Sequence, residues 1–491
     1  MIQRLLRLRP LAAAAALLLF PTSPLAGQER PPGALPASPG AAAEAQLQDA
    51  LSRPAVQSGL SAIDARTEAT VELLRDLALI VSPSGQEAER AARVAEEMRR
   101  IGLSDVEVDD SPNAIGRIPG RSGRALVFIS TLDDLATVAE HRRAADGPPV
   151  LRGDRLEGPG TNTSSITAAM LVAAEGMLHA FGEAGTTPEH DLVFAAVAQE
   201  ETGLVGMKAI YARYRDRAVG FVDILGDGRS VSYGALGIHW WRVEGSGPPG
   251  HSLGGGLPNV NQGLARAVDR ILTEAAHLQD PETRTVVNVA MLRSGEVFNH
   301  KPAEGWFSLD IRSLEAERIQ AIEARVADLL AGVSDETGIP LRLEPWQIMP
   351  GGQLPGAREA EIVQTSAAIG RWMGFEPTLS NAGSSNMNVA IAGGTPAIGL
   401  GGERGGDRGF VSEWASVEAM MRSARHVFLL GMLLGDVAAQ PFHHGNHEAR
   451  APGVNLTVEG PSSAPWSSSS PPHAFARSSA IVARNARAAD R

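Results

Sequence analysis

Four short apolar runs, residues 126–130, 192–198, 221–225 and 396–400, constrain this chain more than anything else in it. Segments of helical period, such as 67–82 and 86–101, lead into them. Apolar runs without polar alternation suit strands buried on both faces. Their alternation with helices predicts an α/β fold: an open, mostly parallel sheet with helices on both faces. Ligands of such sheets sit beyond the carboxyl ends of the strands, so the residues that follow each run are the first candidates for chemistry.

From residue 239 the order changes to strand (239–245), helix (258–276), strand (286–293), strand (305–312), helix (314–330) and strand (341–346). This βαββαβ order is that of a ferredoxin-like unit. The earlier pattern resumes at 359–373, so the unit reads as an insertion over 238–346 in an α/β domain made of 59–237 and 347–438. Residues 27–58, rich in Pro, Ala and Gly, read as a disordered linker, and 439–491, rich in Ser, Pro, Ala and His, as a disordered tail. The tail's His443, His444 and His447 are read as solvated.

At the start, Arg4, Arg7 and Arg9 precede an apolar run over 11–20, then Pro21 and small residues to Ala26. That pattern predicts a secretion signal over 1–26 and an exported protein, periplasmic or secreted. The run is too short to span a bilayer and later apolar segments are interrupted, so no stable membrane span is expected. The balance of 44 Lys+Arg against 56 Asp+Glu gives −12, which argues against nucleic acid as a partner and for a small molecule or peptide. With no cysteine in the chain, any metal must be held by His, Asp, Glu and water.

Three strand ends deliver acids. Thr131-Leu132-Asp133-Asp134 follows the first run, Gln199-Glu200-Glu201-Thr202-Gly203 the second, and the third carries Asp223 with Asp227 just beyond. Adjacent carboxylates raise each other's pKa unless a cation compensates. Such a pair can divide hydrolysis between proton transfer and cation binding, or simply cap a helix N-terminus. After the fourth run, the glycine-rich loop 401–409 delivers Arg404 and Arg408 instead. It lacks the Lys-Ser/Thr ending of a phosphate loop.

Over about 68–434 the chain resembles the aminoacylase, succinyl-diaminopimelate desuccinylase, carboxypeptidase and tripeptide aminopeptidase family of co-catalytic zinc hydrolases. The resemblance rests on Gln199-Glu200-Glu201-Thr202-Gly203-Leu204, Gly247-Pro248-Pro249-Gly250-His251-Ser252, Asn299 with Asp310-Ile311-Arg312, and Gly383-Ser384-Ser385-Asn386. It implies Glu200 as general acid/base, Glu201 and Asp223 as metal ligands, and Asp133 as the group that orients a ligand. It further implies that His251 stabilises an oxyanion, often in the partner subunit's site, and that Asn299 and Arg312 receive a substrate carboxylate. Pairing into a homodimer through the insertion is also implied. On its residues alone, His251 in a Pro/Gly turn is a surface histidine.

The family's other ligands are missing. Thr131 stands where a histidine is expected, Asn162 where the bridging aspartate falls, and Gly409 near the position of the last histidine. A full dinuclear zinc site is therefore not expected, and at most one weakly held divalent metal. Four facing acids still need positive charge, and Arg404 or Arg408 is its expected source. The function implied is amide hydrolysis in small peptides or N-acyl amino acids bearing a carboxylate. The alternative is a catalytically inactive relative that binds such a ligand.

Overall fold

The structure is a computed structural model and describes residues 38–435. The central layer is an eight-stranded sheet in the spatial order Ser104–Val108, Ala114–Ile118, Asp191–Val197, Ala125–Thr131, Ala218–Ile224, Ala397–Gly401, Ser230–Ser232 and Thr378–Ser380. The four middle strands are those expected from the apolar runs, and they are mutually parallel. Their alternate residues feed two separate cores. Leu126, Phe128, Leu192 and Phe194 face one helical layer, while Val127, Ile129, Val193 and Ala195 face the other. The Phe128 and Phe194 rings stack at 5.4 Å, so the first layer is fastened at the sheet's centre by two fully buried aromatics.

The helix Thr161–Ala184 is apolar and long enough to cross a membrane. Here it lies under the helices Pro54–Ala65, Thr67–Leu79 and Val417–Leu434 and is largely buried. Its composition is that of a core helix.

The linker expected over 27–58 is corrected from residue 38 onward. Pro39–Ser52 and Pro54–Ala65 are α-helices, and Ala43, Leu47, Val56 and Leu60 are buried in the main core. Both prolines occupy first-turn positions, where the missing N–H has no helical partner to lose. Ser38 caps the first helix through Ala41 N. The signal region 1–26 and the tail 439–491 lie outside the described residues.

The insertion runs from the strand Gly237–Ser246 to the strand Leu341–Met349, with the helices Val260–Leu278 and Ala316–Thr337 on one face of its sheet. Glu304–Ser313 and Gly237–Ser246 are central, flanked by Val286–Asn288 and Leu341–Met349, all antiparallel. The strand expected over 286–293 is broken into Val286–Asn288 and Leu292–Ser294. Trp240 lies on the open face with Trp306 and Trp346 around a cavity of about 310 Å³, whereas Trp241 is half-buried and donates to Glu323.

Candidate active site

The parallel strands end in register, with Thr131 opposite Val197, Ile129 opposite Asp223 and Asp223 opposite Gly399. Their carboxyl ends therefore bring Asp133, Glu200, Glu201 and Asp223 to one edge of the sheet. Beyond Val197 the backbone turns sharply. Gln199 has φ of 55° and Leu204 of 59°, values that non-glycine residues adopt at a cost of about 1–3 kcal/mol when the surroundings enforce them. Here the enforcing groups are acids. Asp133, fully buried, accepts from Glu200 N at 2.9 Å and Glu201 N at 3.1 Å, and from Ser84 Oγ at 2.6 Å. Glu87 accepts from Gln199 N at 3.0 Å and Gly85 N at 2.8 Å. Asp133 is thus a positioning residue for the glutamate pair, with both oxygens occupied.

Glu200 is half-buried, and its carboxyl makes no hydrogen bond among the described residues. Burial, with Glu201, Asp223 and Asp133 nearby, raises its pKa well above the usual carboxylate range, against the pull of Arg408. Glu201 is also raised by burial, but Arg408 forms an ion pair with it and opposes the rise. Asp223, fully buried, is pushed up to about 6 by desolvation. Met387 N donates to it at 3.1 Å and Asn386 Nδ2 at 3.4 Å, which limits the shift. Asp227, by contrast, is held by Arg422 at 2.9 Å and Arg229 at 3.1 Å and serves the fold.

Thr131, Asn162 and Gly409, the positions where the resemblance implies a metal ligand, each make contacts within the chain. Thr131 Oγ1 accepts from Asn386 Nδ2 at 3.3 Å. Glu413, buried, accepts from Gly160 N and Asn162 N at 2.9 and 3.1 Å through one oxygen, and from Gly409 N at 3.2 Å through the other. One carboxylate therefore ties together the backbones of Asn162 and Gly409. Gly409 has φ of 90°, a conformation that disfavours any side chain there.

Zinc needs three or four nitrogen, sulfur or oxygen ligands per ion. Here both Asp133 oxygens are spent on backbone N–H groups, Glu201 on Arg408, and Asp223 on Met387 and Asn386. No group of three His, Cys, Asp or Glu suited to a metal occurs among the described residues. The residues present do not fit a dinuclear zinc centre.

In the insertion, His251 and Asn299 come together. The Asn299 amide lies 2.9 Å from His251 Nε2, and His300 packs edge-on against His251 at 5.0 Å. Arg312 does not join them. Its guanidinium is held by Asp310 through bonds of 3.0 to 3.1 Å. The two residues share one face of their strand, two positions apart. No described contact links these residues to Glu200, Glu201 or Asp223. Glu87, Glu413 and the fully buried Asn386 are site-building residues whose roles only their burial reveals.

Residues 233–337 match the peptidase dimerisation domain of the M20 type. The aminopeptidase PepT of Bacillus cereus superposes with a TM-score of 0.61 at 19% identity, over 75% of this chain and 98% of that one. The chain has the M20 peptidase fold. Carboxypeptidase G2 of a Pseudomonas species is 25% identical over 215 residues, 43% of this chain, and that match spans 49% of the enzyme's length. Succinyl-diaminopimelate desuccinylase of Corynebacterium glutamicum is 24% identical over 343 residues, 67% of this chain and 87% of that enzyme. The family resemblance read in the sequence and the inserted ferredoxin-like unit both stand.

Proposed function

We propose that the protein hydrolyses an amide bond in a small peptide or N-acyl amino acid, with Glu200 as the group that activates water. The observation that carries this reading is the Glu200 carboxyl itself, half-buried, free of hydrogen bonds among the described residues and raised in pKa beside a guanidinium. A base of that kind takes a proton from water near neutral pH. The water oxygen bonds to the carbonyl carbon, and Glu200 then passes the proton to the departing nitrogen, giving an acid and an amine. The relatives are, by name, a carboxypeptidase, a desuccinylase and an aminopeptidase, which supports this reading.

Arg408 supplies positive charge beside Glu201 where the family uses metal, so the reaction is independent of zinc or depends on one weakly held ion. The chain pairs as a homodimer through the insertion, which brings His251 to a site as oxyanion donor. It is exported after cleavage near Gly27, a reading supported by Arg4, Arg7 and Arg9 ahead of the apolar run 11–20.

The test is hydrolysis of a dipeptide and N-acyl amino acid panel by the mature chain, alongside elemental analysis and a chelator. Turnover that survives chelation and vanishes in Glu200→Gln is expected. Stoichiometric zinc with chelator-sensitive turnover would sink the metal-independent reading. The replacement of three ligand positions by Thr131, Asn162 and Gly409 favours a second reading, a ligand-binding protein without turnover, because Lewis-acid polarisation is lost. In that case Glu200→Gln leaves ligand affinity nearly unchanged and no panel member is cleaved.

A further inference from the structure

The loop 401–409 carries two guanidinium groups to the site, and they differ in their partners. Arg408 is committed to Glu201. Arg404 makes no side-chain hydrogen bond or ion pair among the described residues, although Glu200, Glu201 and Glu413 act on its charge. Burial and the neighbouring Arg408 lower its pKa to about 10, so it stays protonated at neutral pH while lacking the anion that a desolvated charge calls for.

Its backbone is firmly held. Ser416 N donates to Arg404 O at 3.0 Å, and Gly405–Gly406 pairs with Trp414–Ala415. On the other side Glu403 N donates to Asp227 Oδ1 at 3.0 Å. At Gly405, φ is 149° and a Cβ would lie 2.0 Å from Trp414 O. Only glycine permits this pairing, and the pairing fixes where the Arg404 side chain starts. A guanidinium on a fixed stem, with its donor fork unspent, is arranged to take a planar anion in two parallel hydrogen bonds. Arg312 is less open, because Asp310 already takes the Nε and Nη2 edge of its guanidinium.

We propose that Arg404, rather than Arg312, receives the substrate carboxylate. The proposal rests on the hydrolytic reading of the same site and refines it. Because Arg404 is close enough to Glu200 to act on its charge, the carboxylate it holds lies near the bond to be cut. The substrate is then an N-acyl amino acid or the carboxyl-terminal residue of a short peptide, with the scissile amide next to the free carboxylate. A single negative charge suits the site, and a phosphate dianion does not. Glu200, Glu201 and Glu413 already act on Arg404, and Arg90, the further buried arginine of the region, is paired with Asp134.

The experiment uses the mature chain carrying Glu200→Gln, so that binding is read without turnover. Calorimetric titration with N-acetyl amino acids of small, aromatic and acidic side chains, each beside its carboxamide, gives the preference for a carboxylate. At least one acid is expected to bind roughly 10- to 100-fold tighter than its amide, the range of a charge-assisted hydrogen-bond pair. Adding Arg404→Gln should remove that preference and leave amide binding unchanged. Arg404→Lys should keep part of it, and Arg312→Gln all of it. Persistence of the preference in Arg404→Gln, its loss in Arg312→Gln, or no acid preferred over its amide would each overturn the proposal. Failure of the hydrolytic reading looks different: the Arg404-dependent preference remains, and the chain with Glu200 intact cleaves nothing on the panel.

Discussion

Replacing Arg90 with methionine isolates the buried charge beneath the site. The Arg90 and Asp134 side chains are 2% and 1% exposed and lie 2.6 Å apart. Arg90 also donates to Leu132 O at 2.8 Å and Ile80 O at 2.5 Å. Leu132 O keeps a bond from Ser82 Oγ at 3.1 Å, so the loss falls on Ile80 O and on Asp134, whose Oδ1 already has no partner. Breaking a buried pair from one side costs ~3–5 kcal/mol and orphaning a carbonyl ~1–3 kcal/mol. With methionine filling part of the space, a loss of ~4–6 kcal/mol is expected at neutral pH. The deficit should depend on pH with a definite sign. Burial already raises the Asp134 pKa against the opposing pull of Arg90. Without the arginine it rises further, so the folded variant holds a proton that the unfolded chain releases above about pH 4. The deficit is then small at pH 4 and grows towards pH 7.5. Urea unfolding followed by circular dichroism at both pH values measures it, and Arg90→Met with Asp134→Leu should recover part of the loss. A deficit under about 1 kcal/mol at pH 7.5, well below the usual cost of breaking a buried pair, or one that does not change with pH, would refute the reasoning.

Three further outcomes are expected. Arg408→Gln removes the cation that opposes the raised pKa of Glu200, so the acidic limb of kcat/KM should move upward by about one pH unit or more; an unmoved limb would separate Arg408 from the reaction. Asp223, raised to about 6 by burial, gives a contribution to stability that is fully present below its unfolded value near 4 and is lost as pH rises through 6, worth roughly 2–3 kcal/mol. Asp223→Asn should flatten the fall in urea stability between pH 4.5 and 7.5 by that order. Gly409→His should not restore a metal site, because φ of 90° strains any side chain by about 1–3 kcal/mol. A lowered melting temperature with metal content still far below one ion per chain is the expected result.

The main sheet was legible because its central strands are apolar on both faces, so Phe128 and Val127 alike had to be buried. The insertion was legible because its strand and helix periods alternate cleanly. The helices from Pro39 onward were hidden by composition, since the prolines that suggest a linker are the residues that start these helices. At the site, the acids and arginines could be placed from strand ends alone. Burial could not be seen, and burial is what makes a partnered core charge of Arg90 and a backbone clasp of Glu413. The Asp310–Arg312 pair could have been read, since alternation along a strand puts residues two apart on one face.

The helices Pro39–Ser52 and Pro54–Ala65 have a consequence for how the molecule is completed. They rest on the helices Glu361–Trp372 and Val417–Leu434 from the far end of the described chain. Asp64 reaches Arg425 at 2.6 Å and Glu44 reaches Arg371 at 2.8 Å, while a Cβ on Gly59 would come within 2.5 Å of the Phe428 ring. These helices, the first among the described residues, are therefore sealed by the last. Contacts of such long sequence separation form late, because the intervening chain must be closed first. Until residue 434 is free to pack, Leu47, Val56 and Leu60 lack part of their cover, although Thr161–Ala184 already lies against Pro54–Ala65.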